Sequence, residues 1–148
     1  MLKKILVPVD GSYISCKALD YAIHLGKALE SEIVVLHITD PYDLSTLPDP
    51  KMITIPTGEQ SPEEKKKAAI AALAIAQEIA KKAGYANIAF EKAMDKDPAN
   101  RILEHAKELK VDAIIMGNRG LGTAKAFLLG SVSSKIVSSA SCPVFIVK

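Results

Sequence analysis

The chain lacks any apolar run long enough to cross a membrane: the longest, Ala68 to Ala76, is nine residues, against the roughly 20 that a spanning helix needs. Its opening stretch, MLKKILVPVD, places two lysines ahead of only five apolar residues before Asp10, too short a core for a secretory leader. Cysteine is scarce. Cys16 and Cys142 lie 126 positions apart with no Cys-x-x-Cys between them, so they are expected to be reduced packing residues of a cytoplasmic protein and not a disulfide. Charge of one sign is lacking too: 19 basic and 17 acidic side chains leave +2, too little for an electrostatic case for nucleic acid or anionic lipid. The three histidines, His24, His37 and His105, are too dispersed to form a metal-ligand pattern and are expected to serve packing or surface roles. No internal repeat recurs at a period of roughly 20 to 50 residues.

What the chain does have is the composition of a folded globular protein, 49% hydrophobic and 24% charged over 148 residues, the size of one domain spanning 1–148. Ile5 to Val9 is a short β-branched run ending in Asp10-Gly11-Ser12, a turn followed by a helix cap. Ala18, Ala22, Leu25 and Leu29 then recur at helical spacing. Ile33 to Ile38 barely alternates and reads as a buried strand. Four prolines, Pro41, Pro48, Pro50 and Pro56, break up Thr39 to Gln60 and predict a long loop, a lid, partner contact or tether. Ser61-Pro62-Glu63-Glu64 is a capping box opening a helix that runs to Gly84, with Ala72, Ile75, Ala76, Ile79 and Ala83 as its inner stripe.

Ile88 to Ala93 predicts a third strand. Asp97-Pro98 caps a helix whose Ile102, Ala106 and Leu109 face inward. Val111 to Met116 is a fourth strand, and Gly130-Ser131 opens a last helix with Val132, Ile136 and Val137 as its apolar side. Cys142 to Val147 ends in a fifth strand. This alternation predicts a mostly parallel sheet, covered on both faces by helices joined through right-handed crossovers.

Ligands of such sheets sit beyond the carboxyl ends of the strands, where the winding reverses. Two segments compete for that place, Pro8 to Ser12 and Met116 to Ser133. The second is richer in glycine: Gly117, Gly120 and Gly122 can adopt backbone angles barred to other residues and let main-chain N–H groups approach an anion. Gly130-Ser131-Val132-Ser133 offers helix-start donors, to which the Ser131 and Ser133 hydroxyls add. The same stretch also fits an ordinary glycine-rich connector. It fails as a P-loop because Thr123 follows Gly122 where lysine is required and Lys125 is displaced, and it does not complete the dinucleotide fingerprint. Asp10 equally fits the role of stabilising its own turn, Ser12 reads as a cap, and Lys125 and Lys135 read as surface charge.

Gly117-x-x-Gly120, nine residues, then Gly130-Ser131 resembles the nucleotide-binding signature of the universal stress protein family. KKILVPVDGS, VVLHI, DPANRILEHAKELKVDAIIMG and SCPVFIVK extend the resemblance over the whole chain. It implies a Rossmann-like, five-stranded parallel sheet in the order 3-2-1-4-5, in the subgroup that binds ATP. By that resemblance Asp10 contacts the ribose, and Pro8, Val9 and Ile38 border the adenine, Ile38 through its backbone. Met116 and Gly117 line the base and ribose side, and Arg119, Gly120, Gly130, Ser131, Val132 and Ser133 hold the phosphates. ATP, ADP or AMP is the implied ligand, with Mg2+ or Mn2+ carried by the phosphates and no metal site of the protein's own. The implied assembly is a homodimer through the C-terminal strand, acting on an unidentified protein partner as a nucleotide-dependent switch in the stress response. An interaction module with little nucleotide use and a slow ATP hydrolase are the alternatives, since no catalytic acid or base is paired with the loop.

Overall fold

The computed structural model describes residues 1–40, 49–120 and 128–148. Pro41, Pro48, Gly122 and Lys125, singled out in the sequence, lie outside the described residues. The strands β1 (Lys4–Pro8), β2 (Glu32–Thr39), β3 (Ile88–Met94), β4 (Ala113–Gly117) and β5 (Val144–Val147) form one parallel sheet in the order β3-β2-β1-β4-β5. The helices are α1 (Tyr13–Leu29), α2 (Pro62–Ile70), α3 (Ala72–Ala83), α4 (Pro98–Glu108) and α5 (Ser131–Ser139).

The central strands are apolar without alternation because both of their faces are covered. Ile5, Val7, Ile33, Val35 and Ile115 pack with α1 and α3 on one side. Leu6, Val34, Leu36, Ile114 and Met116 meet α4 and α5 on the other. At the amino ends of the strands, the Asp112 carboxylate accepts hydrogen bonds from the backbone N–H groups of Lys3 and Lys4 at 2.7 and 2.9 Å, which joins the start of β1 to the start of β4.

Four expectations from the sequence need correction. The helix read as continuous from Ser61 to Gly84 divides at Ala71 (φ −94°, ψ 8°) into α2 and α3. Gly11, at φ +84°, lies against the Ala68 carbonyl just before this break, so tightly that a side chain there would overlap it. The turn after β1 thus packs onto the helix where the helix bends. Val137, read as part of the inner side of α5, is 46% exposed, because one residue past the buried Ile136 the helix has turned by about 100°. Leu29, at the last position of α1, is also exposed. Within the segment read as a loop, Pro50–Met52 forms a short 3-10 turn capped by Asp49.

The Asp112 carboxylate is held below the usual carboxylate range by its backbone hydrogen bonds, that from Lys4 first and that from Lys3 next. A depressed folded-state value stabilises the fold above the unfolded value, near 3.9, and the contribution is lost as pH falls through the folded value. Asp112→Ala is therefore expected to lower the melting temperature at pH 7. The gap to the parent protein should narrow as the pH drops below about 4, as read by thermal denaturation followed by circular dichroism.

Candidate functional site

The cleft forms at the carboxyl ends of β1 and β4, where the direction of winding reverses. β1 pairs with β2 from Lys4↔Glu32 to Pro8↔Leu36, but with β4 only at Ile5↔Ala113 and Leu6↔Ile114. Beyond Leu6 the two central strands part. A cavity of about 460 Å³ occupies the gap, within the usual range for small-molecule sites.

On the β1 side, the Val9 N–H donates to the Leu36 carbonyl at 2.9 Å, which continues the β1–β2 ladder one residue beyond the strand. The chain then turns. Asp10 Oδ1 accepts from the Ser12 N–H at 2.9 Å, and Ser12 Oγ accepts from the Ser15 N–H at 3.2 Å as the cap of α1. Ser12 is thus a structural cap. Asp10 joins the turn to the facing loop as well, because its Oδ2 lies where a side chain on Gly120 would begin.

On the β4 side, one backbone carbonyl accepts two hydrogen bonds. The Asn118 carbonyl accepts from the Gly130 N–H at 2.8 Å and from Ser133 Oγ at 2.7 Å, while the Asn118 N–H donates to the Val147 carbonyl at 2.9 Å. The residue after β4 is thereby tied to the end of β5 and to the start of α5. Asn118 Oδ1 is buried and has no hydrogen-bond partner among the described residues. Gly130 is the N-cap of α5 (φ −64°, ψ 165°), and no side chain among the described residues caps that helix. In contrast, Ser12, Ser61 and Asp97 cap α1, α2 and α4 with their side chains. The free N–H groups of an α-helix start concentrate about half a positive charge there.

All twelve residues singled out from the sequence, namely Pro8, Val9, Asp10, Ile38, Met116, Gly117, Arg119, Gly120, Gly130, Ser131, Val132 and Ser133, line this cavity. Ser15, Leu36, Pro98 and Ile102 line it as well and were missed. Pro98 and Ile102 sit four apart on the first turns of α4; Pro98 was read only as part of the helix cap and Ile102 only as inner face. Leu36 looked like core, and Ser15 gave no signal beyond lying three residues after a cap. Arg119 and Asp10 are the charged residues among those lining the cavity, and Arg119 has no ion-pair partner among the described residues. Lys135 is engaged elsewhere, 2.7 Å from Asp97 across the α4–α5 pair.

The chemistry of individual residues departs from the sequence reading in two places. Gly117 and Gly120 do not occupy the left-handed region. What they require is the missing Cβ, which would strike Ile14 Cγ2 at position 117 and Asp10 Oδ2 at position 120. The Ser133 hydroxyl is not a donor to the cavity, since its proton lies between the Asn118 and Gly130 carbonyls. Ser133 presents its backbone N–H instead.

The remaining candidates lie apart from the cleft. His24 pairs with Asp20 on α1, and His105 engages Glu91 and Arg101 between β3 and α4. Cys16, on α1, is buried against Ala68, Ala71 and Ile75, where burial, and then the Asp10 carboxylate, push its thiol up to about 12. A second cavity of about 320 Å³ lies between residues 51–60 and α2.

Comparison with known proteins settles the family. The family model for universal stress proteins matches residues 1–148. The chain belongs to the universal stress protein family. It is 36% identical over 156 residues to universal stress protein YxiE of Bacillus subtilis, with 100% of each chain covered. It is 31% identical over 148 residues to universal stress protein MJ0531 of Methanocaldococcus jannaschii, covering 100% of this chain and 83% of that one. Among solved structures, a universal stress protein in complex with cAMP superposes with a TM-score of 0.70 at 26% identity, over 99% of this chain and 97% of that one.

The two kinds of glycine in the family's signature are expected to respond differently to a methyl group. At Gly130 the new Cβ would stand 3.4 Å from Arg119 Cα, an ordinary contact, so Gly130→Ala should stay within about 1 kcal/mol of the parent protein. At Gly117 it would overlap Ile14, so Gly117→Ala should destabilise by about 1–3 kcal/mol. Urea denaturation midpoints measure both.

Proposed function

We propose that this protein binds an adenine nucleotide, with ATP as the leading ligand, and works as a nucleotide-dependent switch in the stress response. The observation that carries the reading is that one cavity combines apolar walls with groups that favour an anion. Leu36, Ile38, Pro98, Ile102 and Met116 give it apolar walls, while Arg119, Gly120 and the uncapped start of α5 supply positive charge and backbone donors. A base fits the first and phosphates the second. The cAMP complex of a relative supports an adenine ligand.

In this reading Pro8, Val9 and the backbone of Ile38 border the adenine, Met116 and Gly117 flank base and ribose, and Asp10 accepts from the ribose hydroxyls. Arg119, Gly120 and the N–H groups of Gly130, Ser131, Val132 and Ser133 face the phosphates, with the Ser131 hydroxyl as a further donor. Mg2+ or Mn2+ would arrive with the phosphates and screen their charge. We also propose that residues 1–148 act as one domain, in the cytoplasm, and that two copies pair through β5 and act on a protein partner. β5 is the outermost strand on its side of the sheet and leaves Phe145 45% exposed, an edge that invites a second strand.

Calorimetric titration with ATP, ADP and AMP, with and without Mg2+, tests the reading. Saturable binding tighter than about 1 mM is expected, and its absence for all three nucleotides would overturn it. Arg119→Ala should weaken ATP by about tenfold and AMP by less, because its guanidinium is assigned to the phosphate end. Gly130→Trp should abolish binding by filling the cradle, while the melting curve stays cooperative.

A further inference from the structure

The carbonyl of Val9 and the N–H of Asp10 belong to one planar peptide group, and side chains hold both of its polar atoms. His37 Nδ1 lies 2.8 Å from the Val9 carbonyl oxygen. A carbonyl only accepts, so Nδ1 carries the proton and donates. On the other side, the Asp10 N–H donates to Ser15 Oγ over a longer 3.4 Å, and Ser15 Oγ itself donates to the Ser12 carbonyl at 2.9 Å. With the Val9 N–H fixed on Leu36, the backbone leading into Asp10 is restrained at three successive polar groups.

His37 lies on β2 between Leu36 and Ile38, two of the residues that line the cavity. Strand alternation sends its ring to the opposite face, where it is buried and reaches across to the end of β1. An aliphatic side chain would fill such a place without the penalty of burying a polar ring. Burial is the largest influence on this imidazole and pushes its pKa down. The Val9 hydrogen bond opposes that shift, Lys92, in register on β3, adds to it, and Asp10 opposes it again. The ring is therefore a neutral donor at pH 7.

We propose that His37 and Ser15 are positioning residues for the nucleotide site: by fixing the Val9–Asp10 peptide plane, they aim the Asp10 carboxylate at the ligand. The inference rests on the reading that the cleft holds an adenine nucleotide. It adds a mechanism by which residues outside the signature set the strength of binding.

A double-mutant cycle tests it, with ATP·Mg2+ titrated into the parent protein, His37→Leu, His37→Asn, Asp10→Ala and His37→Leu/Asp10→Ala, each checked by its melting curve. His37→Leu should weaken ATP by about tenfold. His37→Asn, whose amide nitrogen can stand where Nδ1 stands, should recover most of that loss. In the Asp10→Ala background the His37→Leu change should have less than about a twofold effect, because coupled residues are not additive. Ser15→Ala should lose affinity in the same direction, and it carries the test should His37→Leu not fold. Equal losses from His37→Leu in both backgrounds, or unchanged affinity in both His37→Leu and Ser15→Ala, would overturn the positioning role while leaving the site in place. Failure of the parent protein to bind ATP would instead overturn the site reading, and this inference with it.

Discussion

The parting of β1 and β4 beyond Leu6 and Ile114 is the constraint from which the rest of the site follows. Two parallel strands whose crossovers run to opposite faces of a sheet leave a crevice between them at their carboxyl ends. In this protein α1 leaves β1 for one face and α5 leaves β4 for the other. The cleft is the gap those departures create, and the apolar core beneath it keeps the gap in register. Leu6 and Ile114, where the pairing of β1 with β4 ends, are fully buried.

Two backbone clamps then convert a gap into a shaped site. On one side His37, Leu36 and Ser15 fix the approach to Asp10. On the other the Asn118 carbonyl holds Gly130 and Ser133, so that the start of α5 stands against the cavity with its first-turn amides uncapped. Glycine serves close approach in this arrangement: Gly117 admits Ile14, Gly120 admits the Asp10 carboxylate, and Gly11 admits α2. Arg119 and the helix start bring positive charge to the cavity, and aliphatic side chains wall it.

The strand and helix alternation was legible from apolar runs and caps, because strands buried on both faces must be continuously apolar and because Ser12, Ser61 and Asp97 are strong helix-start signals. The strand order was not legible from the pattern itself. It came from the resemblance carried by Gly117, Gly120 and Gly130. The break at Ala71 was hidden because alanine carries no signal for it, and the close approach of Gly11 to Ala68 beside it joins residues far apart in sequence. Pro98 and Ile102 escaped because a wall of a cavity and a face of a core require the same residue types. His37 was read as packing for a related reason: a strand position shows which face a side chain takes, not which carbonyl it meets.

The central claim is that the amides opening α5 meet the anionic end of an adenine nucleotide in this cleft. Amide chemical shifts of the isotopically labelled protein, followed by nuclear magnetic resonance as ATP·Mg2+ is added, test it most directly. The largest changes are expected at Gly130, Ser131, Val132 and Ser133, with smaller ones at Val9 and Asp10. Shifts gathered instead around Lys51, Thr57 and Lys67 of the second cavity, with the start of α5 unmoved, would contradict it.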